Sequence, residues 1–269
     1  MFLPRKGDAV SVVALKEPVS ILMPVCNEVD IIEEVMDEWI NQVLAKLPAG
    51  SELILDDCST DGTERILQNL AERHPFIRIN FAPRDGFFNS AMRLYRLARC
   101  PLIFFTDSDG QYVPEEFWKI AAEIERYDMV HGYKLVRKDE AYRVQASAVY
   151  NVIVKLFFRS KAIDVNSAFR LIRRPMLEVV LDQLRHLRIL PNSEMYIRAE
   201  WLGYRIKNVP VMHRARKNGI SRALPIGKFI VECLRALRGL NALSRELRSG
   251  SSYGSKAFKG DDGQQTARN

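Results

Sequence analysis

Asp107 and Asp109 stand one residue apart in "LIFFTDSDGQYVPEEF", at the point where an apolar run stops. On an extended chain, residues i and i+2 share a face, and in a turn the small Ser108 and Gly110 let both carboxylates approach one ion. Oxygen-only ligands of this kind suit a hard cation such as Mg2+ or Mn2+, held by one or two carboxylates together with substrate phosphates. A calcium loop fails on counting, because glycine and glutamate are required at the sixth and twelfth positions from Asp107. Those positions hold Tyr112 and Trp118. The second acidic stretch, "DDCSTDGTE", matches the calcium pattern at Asp57, Ser59, Asp61 and Gly62 but ends on Gln68. Turn and capping chemistry explains part of that stretch, with Asp61 and Thr63 placed to start a helix. It does not explain Asp56 and Asp57, which precede the turn.

The elements that must position these residues alternate. "VSILMPV", "SELILDD", "IRINFAP", "PLIFFTD", "DMVHGY" and "YRIKNVPV" have the apolar, β-branched character of strands. Between them lie helical patterns: residues 28–47, where Ile31, Ile32, Val35, Trp39 and Val43 recur at helical spacing, then 62–74, 89–100 and 117–127. Strands alternating with helices predict βαβ units and a mostly parallel sheet, which binds ligands outside the carboxyl ends of its strands. Taking only strand ends collects Asn27 and Glu28, Asp56 and Asp57, Arg84 and Asp85, and Asp107 and Asp109. Polar, mostly acidic groups thus converge on one edge. Trp39, Trp118 and Trp201 fall on helical patterns and are expected in the core.

From Pro225 to Leu247, Ile226, Phe229, Ile230, Cys233, Leu234, Leu237 and Leu240 share a helical face with arginines around it. Such a helix either packs on the domain or lies in a lipid headgroup region without crossing it. No apolar stretch approaches the roughly 20 residues of a membrane span, and the N-terminus does not have the form of a signal peptide. Four cysteines without CxxC spacing suggest neither a zinc site nor a disulfide framework and point to a reducing cytosol. The formal charge of +7 implies an anionic partner. Nucleic acid is not expected, since no known binding module is present and acidic strand ends would repel a phosphodiester backbone.

"PVCNE", "LDDCSTDGT" and "TDSDGQYVPEEF", in that order and spacing, resemble the family 2 glycosyltransferases of the GT-A fold, an α/β architecture. "DVNSAFRLIRR" and "EMYIRAEWLGYRIKNVPVMHRARKNGISR" extend the resemblance to the branch of dolichol-phosphate mannose synthase and polyprenyl-phosphate glycosyltransferases. The implied organisation is an extension at 1–17, a catalytic domain at 18–222, an amphipathic helical segment at 223–248 and a disordered tail at 249–269. The implied activity is inverting, metal-dependent transfer from a UDP- or GDP-linked sugar to a polyprenyl phosphate, at the cytoplasmic face of a membrane to which the protein is peripheral.

The resemblance also implies roles for particular residues. Pro24, Asn27, Glu28, Asp56, Asp57, Arg84, Gly86, Asp107 and Ser108 would bind the nucleotide sugar, Asp56 or Asp57 through the base. Asp107, Asp109 and Gln111 would hold the divalent cation, Mg2+ or Mn2+. Arg216, with Ser221 and Arg222, would close over the diphosphate and acceptor phosphate, and Lys134, Arg143, Ser167 and Arg170 would serve the acceptor phosphate. The alternative, transfer to a hydroxyl, requires a base, for which Asp164 and Glu194 are the candidates. His213, beside the basic loop, is the one histidine to test as a further metal ligand. The chain departs from the family pattern after Gly86, where Phe87, Phe88 and Arg93 stand in place of small residues, and Arg222 replaces a lysine.

Overall fold

The computed structural model describes residues 11–135, 141–215 and 226–250, with backbone alone at 141–143 and 226–230. Strand β1 (Val19–Val25) pairs in parallel with β2 (Glu52–Asp57) on one side and β4 (Leu102–Phe105) on the other. β3 (Ile77–Phe81) adds in parallel beyond β2. Among the described residues the sheet has seven strands in the order β3-β2-β1-β4-β6-β5-β7. β4 is buried throughout and β1 almost so, which is why both are continuous apolar runs: helices cover both sheet faces and alternation has no purpose there.

Past β4 the sheet changes direction. β6 (Arg170–Arg173) runs antiparallel between β4 and β5 (Met129–Lys134), and β7 (Ile206–Val211) is parallel to β5. The predicted mixed, mostly parallel α/β sheet is observed. β6 is the strand that the pattern does not reveal, because its sequence is RLIR and its two arginines hide a short buried run.

Helices α1 (Ile32–Gln42), α2 (Thr63–Arg73), α3 (Phe87–Leu97) and α4 (Phe117–Ala121) follow β1 to β4 in turn. α5 (Ala141–Phe158), α6 (Arg174–Leu181), α7 (Pro191–Trp201) and α8 (Ile226–Ser249) complete the described α-helices. Two helices are shorter than expected. α1 ends at Gln42, where Val43 leaves the helical backbone at φ −125°, and α4 gives way to turns after Ala121. Trp39 packs against Phe104 at 5.6 Å between ring centroids, and Phe104 meets Phe117 and Phe169 edge-on at 5.0 and 4.8 Å. Trp39 and Trp118 are in the core as expected, whereas Trp201, at the end of α7, is 42% exposed.

α8 divides along its length. Leu240, Leu243 and Leu247 are buried against the domain, while Cys233, Leu234 and Leu237 of the expected stripe are exposed. The stripe therefore does not act as one face. A Cβ at Gly239 would overlap the His186 carbonyl, so the helix crosses the segment between α6 and α7 at backbone contact. Glu246, one turn from the end, pairs with Arg198 at 2.9 Å and Arg185 at 2.8 Å and also meets His186. No helix among the described residues is long and apolar enough to cross a membrane.

Candidate functional site

Thr106 extends the β4 pairing by donating its N–H to Leu22 O at 3.1 Å, and the chain then leaves the sheet. Ser108 turns inward and donates its hydroxyl to Pro24 O at 2.9 Å, tying the loop to β1. Asp107 and Asp109, on either side of that inward serine, both line a cavity of about 320 Å³. Gly110 then takes φ +70°, and a Cβ there would lie 3.0 Å from a methyl of Val35, so the reversal demands glycine twice over. Asp109 Oδ1 accepts the Gln111 N–H at 3.1 Å, closing the turn.

The far side of this loop is fastened as well. Arg214 N–H donates to Gln111 O at 2.7 Å, and the Gln111 side-chain amide donates to Arg214 O at 3.3 Å. A single β-bridge pairs Tyr112 with His213, and their rings meet edge-on at 5.0 Å. Arg214 is itself held by both carboxylate oxygens of Glu38 at 2.9 Å. Gln111, expected among the metal ligands, thus uses its amide to bind the neighbouring chain and does not line the cavity. His213 is buried beside Tyr112.

The cavity collects groups from the ends of β1, β2, β3 and β4. Pro24, Cys26 and Glu28 come from β1, Cys58 from β2, Arg84, Asp85 and Gly86 from the β3–α3 connection, Ser90 and Arg93 from α3, and Asp107, Ser108 and Asp109 from β4. The sheet order reverses between β1 and β4, the switch point where parallel sheets open a crevice. Burial, reinforced by the neighbouring Cys26, pushes the Cys58 thiol up to about 12. Four carboxylates, Glu28, Asp85, Asp107 and Asp109, face two guanidinium groups, Arg84 and Arg93. Among the described residues no three His, Cys, Asp or Glu side chains form a group able to hold a metal. Two hard carboxylates at the rim of an open cavity fit Mg2+ or Mn2+, which completes its shell with phosphate oxygens and water, and do not fit a closed structural site.

Several expected binding residues have other work. Asn27, in left-handed backbone at φ +58°, donates its N–H to Ser59 Oγ and accepts the Thr60 N–H on its side chain, both at 2.7 Å. It clips the β1 and β2 ends together and does not line the cavity. Asp57 is buried and accepts the Ser59 N–H at 3.1 Å and hydroxyl at 2.5 Å. Burial raises its pKa against the pull of those bonds, and the nearby Glu64 and Asp61 add to the rise. Asp56 is buried too, and its Oδ1 accepts Asn80 Nδ2 at 2.5 Å and Arg93 Nε at 3.0 Å, its Oδ2 Arg93 Nη2 at 2.9 Å. Arg93 also reaches Asp85, at 2.7 Å through Nη1 and 3.1 Å through Nη2. These bonds, led by Arg93, hold the Asp85 carboxyl below its ordinary value.

The block expected to meet an acceptor phosphate is mostly interior. Arg170 is fully buried and donates to the carbonyls of Asn192, at 2.9 Å, and Ser167. Burial lowers its pKa, partly offset by the surrounding Tyr95, Tyr112 and Asp164. Ser167 is buried and shares a 3.0 Å hydrogen bond with the Tyr112 hydroxyl, and Tyr112 stacks on Phe169 at 4.8 Å. Ser167 and Arg170 are therefore packed beneath the acidic loop and bonded within the fold. Lys134, by contrast, is partly exposed at the end of β5, with its ammonium 5.5 Å from the Tyr112 ring centroid. Arg143 lies in α5 with its side chain outside the description, and Arg216, Ser221 and Arg222 lie outside the described residues.

Glu194 is closed off from the cavity. It is fully buried, paired with Arg198 at 2.8 Å, and accepts the N–H groups of His186 and Leu187 at 2.8 and 2.7 Å. Asp164 is buried, and its carbonyl bonds His131 Nε2 at 2.7 Å. Asp85 and Arg93 are charged cavity residues to which the motifs gave no role. Asp85 stood among the strand ends, but Arg93 sits in mid-helix, where only the fold shows what it reaches.

The sequence model of "Glycosyl transferase family 2" matches residues 20–181, well over half of the chain. Curated relatives include the undecaprenyl-phosphate 4-deoxy-4-formamido-L-arabinose transferases of Klebsiella pneumoniae subsp. pneumoniae, 27% identical over 208 residues, and of Proteus mirabilis, 29% identical over 209. Each match covers 76% of this chain, and the chain spans 62% of the length of these relatives. Among solved structures, glucosyl-3-phosphoglycerate synthase from Mycobacterium tuberculosis, in complex with Mn2+, UDP and phosphoglyceric acid, superposes with a TM-score of 0.63 at 17% identity. That match covers 85% of this chain and 79% of the other. Mannosyl-3-phosphoglycerate synthase from Rubrobacter xylanophilus follows at 0.60 and 14%, covering 91% and 78%. At these identities the structures share the GT-A fold and no more.

Proposed function

The chain belongs to glycosyl transferase family 2, and from that premise we propose that it moves a sugar from a nucleotide-sugar donor to a polyprenyl phosphate at a membrane surface. The observation that carries this reading is the cavity at the switch point, lined together by Asp107, Asp109, Arg84, Pro24, Glu28 and Gly86. The curated relatives named for undecaprenyl phosphate support the choice of acceptor.

Breaking the bond at the anomeric carbon leaves a nucleoside diphosphate, so charge grows on the departing oxygens. A divalent cation, Mg2+ or Mn2+, held by Asp107 and Asp109 would neutralise that charge. Arg84 is exposed at the cavity and would orient the diphosphate there. Ser108 and Gly110 hold the two aspartates in place before substrate arrives, which removes reorganisation from the reacting step. A phosphate acceptor is ionised near neutral pH and needs no general base, only cations that position it. Lys134 at the end of β5 supplies one, and Arg143, Arg216 and Arg222, with Ser221, are assigned to the same task. The burial of Glu194 in an ion pair speaks against one of the two candidates for the base that a hydroxyl acceptor would require. The catalytic unit spans 18–222, and the exposed apolar residues of α8 favour a peripheral position at the cytoplasmic membrane face.

The test is incubation with Mn2+ or Mg2+, a panel of nucleotide sugars and either a polyprenyl phosphate or hydroxyl acceptors, read as radiolabel in the lipid phase. Lipid-linked sugar is expected. Transfer to hydroxyl acceptors alone overturns the assignment.

A further inference from the structure

Cys26 and Cys58 are 32 residues apart in the chain, each one step past the end of its strand, β1 or β2. The register that pairs Val25 with Asp57 pairs these two next, and Cys58 N–H still donates to Val25 O at 3.1 Å, so the ladder reaches their level. Level residues on neighbouring parallel strands point to the same side of the sheet, with backbones about 4.8 Å apart. That spacing falls within the roughly 4.4–6.8 Å between Cα atoms that a disulfide spans. The Cys26 thiol already leans across, donating to Cys58 O at 3.7 Å, and both side chains are partly exposed where they line the cavity. The other two cysteines stand apart from this pair: Cys100 is buried beside Ser20 toward the opposite end of β1, and Cys233 is exposed on α8.

We propose that Cys26 and Cys58 are a redox modification site: hydrogen peroxide joins them in a reversible disulfide across the ends of β1 and β2, and that bond weakens nucleotide binding in the cavity. The loss of binding rests on the reading of this cavity as a nucleotide-sugar site, whereas the disulfide itself does not. Burial and the adjacent Cys26 push the Cys58 thiol up to about 12, so Cys58 keeps its proton at neutral pH. Cys26 is then the thiol that supplies the thiolate, the nucleophilic form. Its sulfur attacks one peroxide oxygen and the O–O bond breaks, giving a sulfenic acid and hydroxide. The Cys58 sulfur attacks that of Cys26, the S–O bond breaks, and the Cys58 proton leaves with the hydroxyl as water. In all, the two thiols lose two electrons and two protons, and the peroxide becomes two waters. A dithiol reductant reverses the change by exchange, as befits a transient disulfide in a reducing compartment. A disulfide brings its Cβ atoms to about 3.8 Å, closer than the spacing of the strands. Closing it draws the β1 end, with Asn27 and Glu28, toward the β2 end, where Asn27 is already bonded to Ser59 and Thr60. The cavity wall that carries Glu28 changes with it.

The experiment treats the full chain with hydrogen peroxide and maps its peptides by mass spectrometry. Binding of UDP and GDP, each with Mn2+, is measured by calorimetry before oxidation, after it, and after dithiothreitol. A linked pair of peptides carrying Cys26 and Cys58, short of two hydrogens, is expected. With it, affinity for the nucleotide that binds should fall at least about tenfold, because displaced binding groups lose their fit, and dithiothreitol should restore it. Cys26→Ser and Cys58→Ser, each compared with itself, are expected to hold their affinity to within about twofold through the peroxide treatment, since neither has a pair to bridge. Either variant serves if the other does not fold. Oxidised wild type without the linked peptides, or with them and unchanged nucleotide affinity, overturns the proposal and leaves the donor site standing. A reduced wild type that binds neither nucleotide overturns the donor reading and the control of binding with it, while the linked peptides alone then decide the modification site.

Discussion

Ser108 Oγ donates to the Pro24 carbonyl at 2.9 Å, and this bond between the loop after β4 and the end of β1 orients the acidic pair. With Ser108 turned in, its neighbours Asp107 and Asp109 are both left at the cavity. Alternation along the chain thus sets a pair of carboxylates at one cavity.

Asp109→Asn removes a charge from that pair without disturbing the Ser108 anchor. Turnover is expected to fall at least about 10²-fold, since a metal at such a site contributes several kcal/mol to stabilising the departing group. The thermal unfolding midpoint should stay near that of wild type, because Asp109 is partly exposed. Activity assays run beside calorimetry of Mn2+ binding in the presence of UDP check it, and undiminished turnover would sink the metal assignment.

Removing Glu194 leaves the buried Arg198 without its nearest partner and three loop N–H groups without an acceptor. Glu194→Ala is expected to destabilise the fold by about 3–5 kcal/mol, measured by urea denaturation. A loss of transferase activity with unchanged stability would instead return Glu194 to the candidate bases.

Gly239→Ala drives a methyl into the His186 carbonyl where α8 crosses the chain before α7. The helix must shift, at a cost of about 1–3 kcal/mol. Increased hydrogen exchange along α8, confined at first to that helix, is the expected readout. Protection equal to wild type would show that the crossing has slack.

His131 is fully buried and neutral, its pKa pushed down to about 3 by desolvation and then by the charge of Arg170. An unfolded histidine titrates near 6.5, so between these values the unfolded chain binds a proton that the folded chain refuses. The stability contributed by the neutral ring is complete above about pH 6.5 and is lost as the pH falls toward 3, with a slope near 1.4 kcal/mol per pH unit. Denaturation between pH 7.5 and 4.5 should show this slope in wild type and a shallower one in His131→Gln. Equal slopes in the two proteins would refute it.

Much of the site was legible before folding was considered. The apolar runs marked β1, β2 and β4 because strands buried on both faces carry no polar interruptions, and the residues just past them are what a parallel sheet brings to one edge. Asp107, Asp109, Glu28 and Arg84 meet at the cavity for that reason, across more than 80 residues of chain. Tertiary structure decided which of the collected polar groups remained available. Asp56, Asp57, Ser167, Arg170 and Glu194 have residue types fit for binding, yet each is buried, Asp57 against the turn that follows it and the others bonded to partners from other elements. Arg93 is the converse case, an apparent helix-surface arginine whose reach to Asp56 and Asp85 places it at the cavity. Local pattern determines where a side chain enters the fold. Its hydrogen-bond partners are set by packing between segments distant in sequence, and those partners separate a residue that holds the protein from one that meets a ligand.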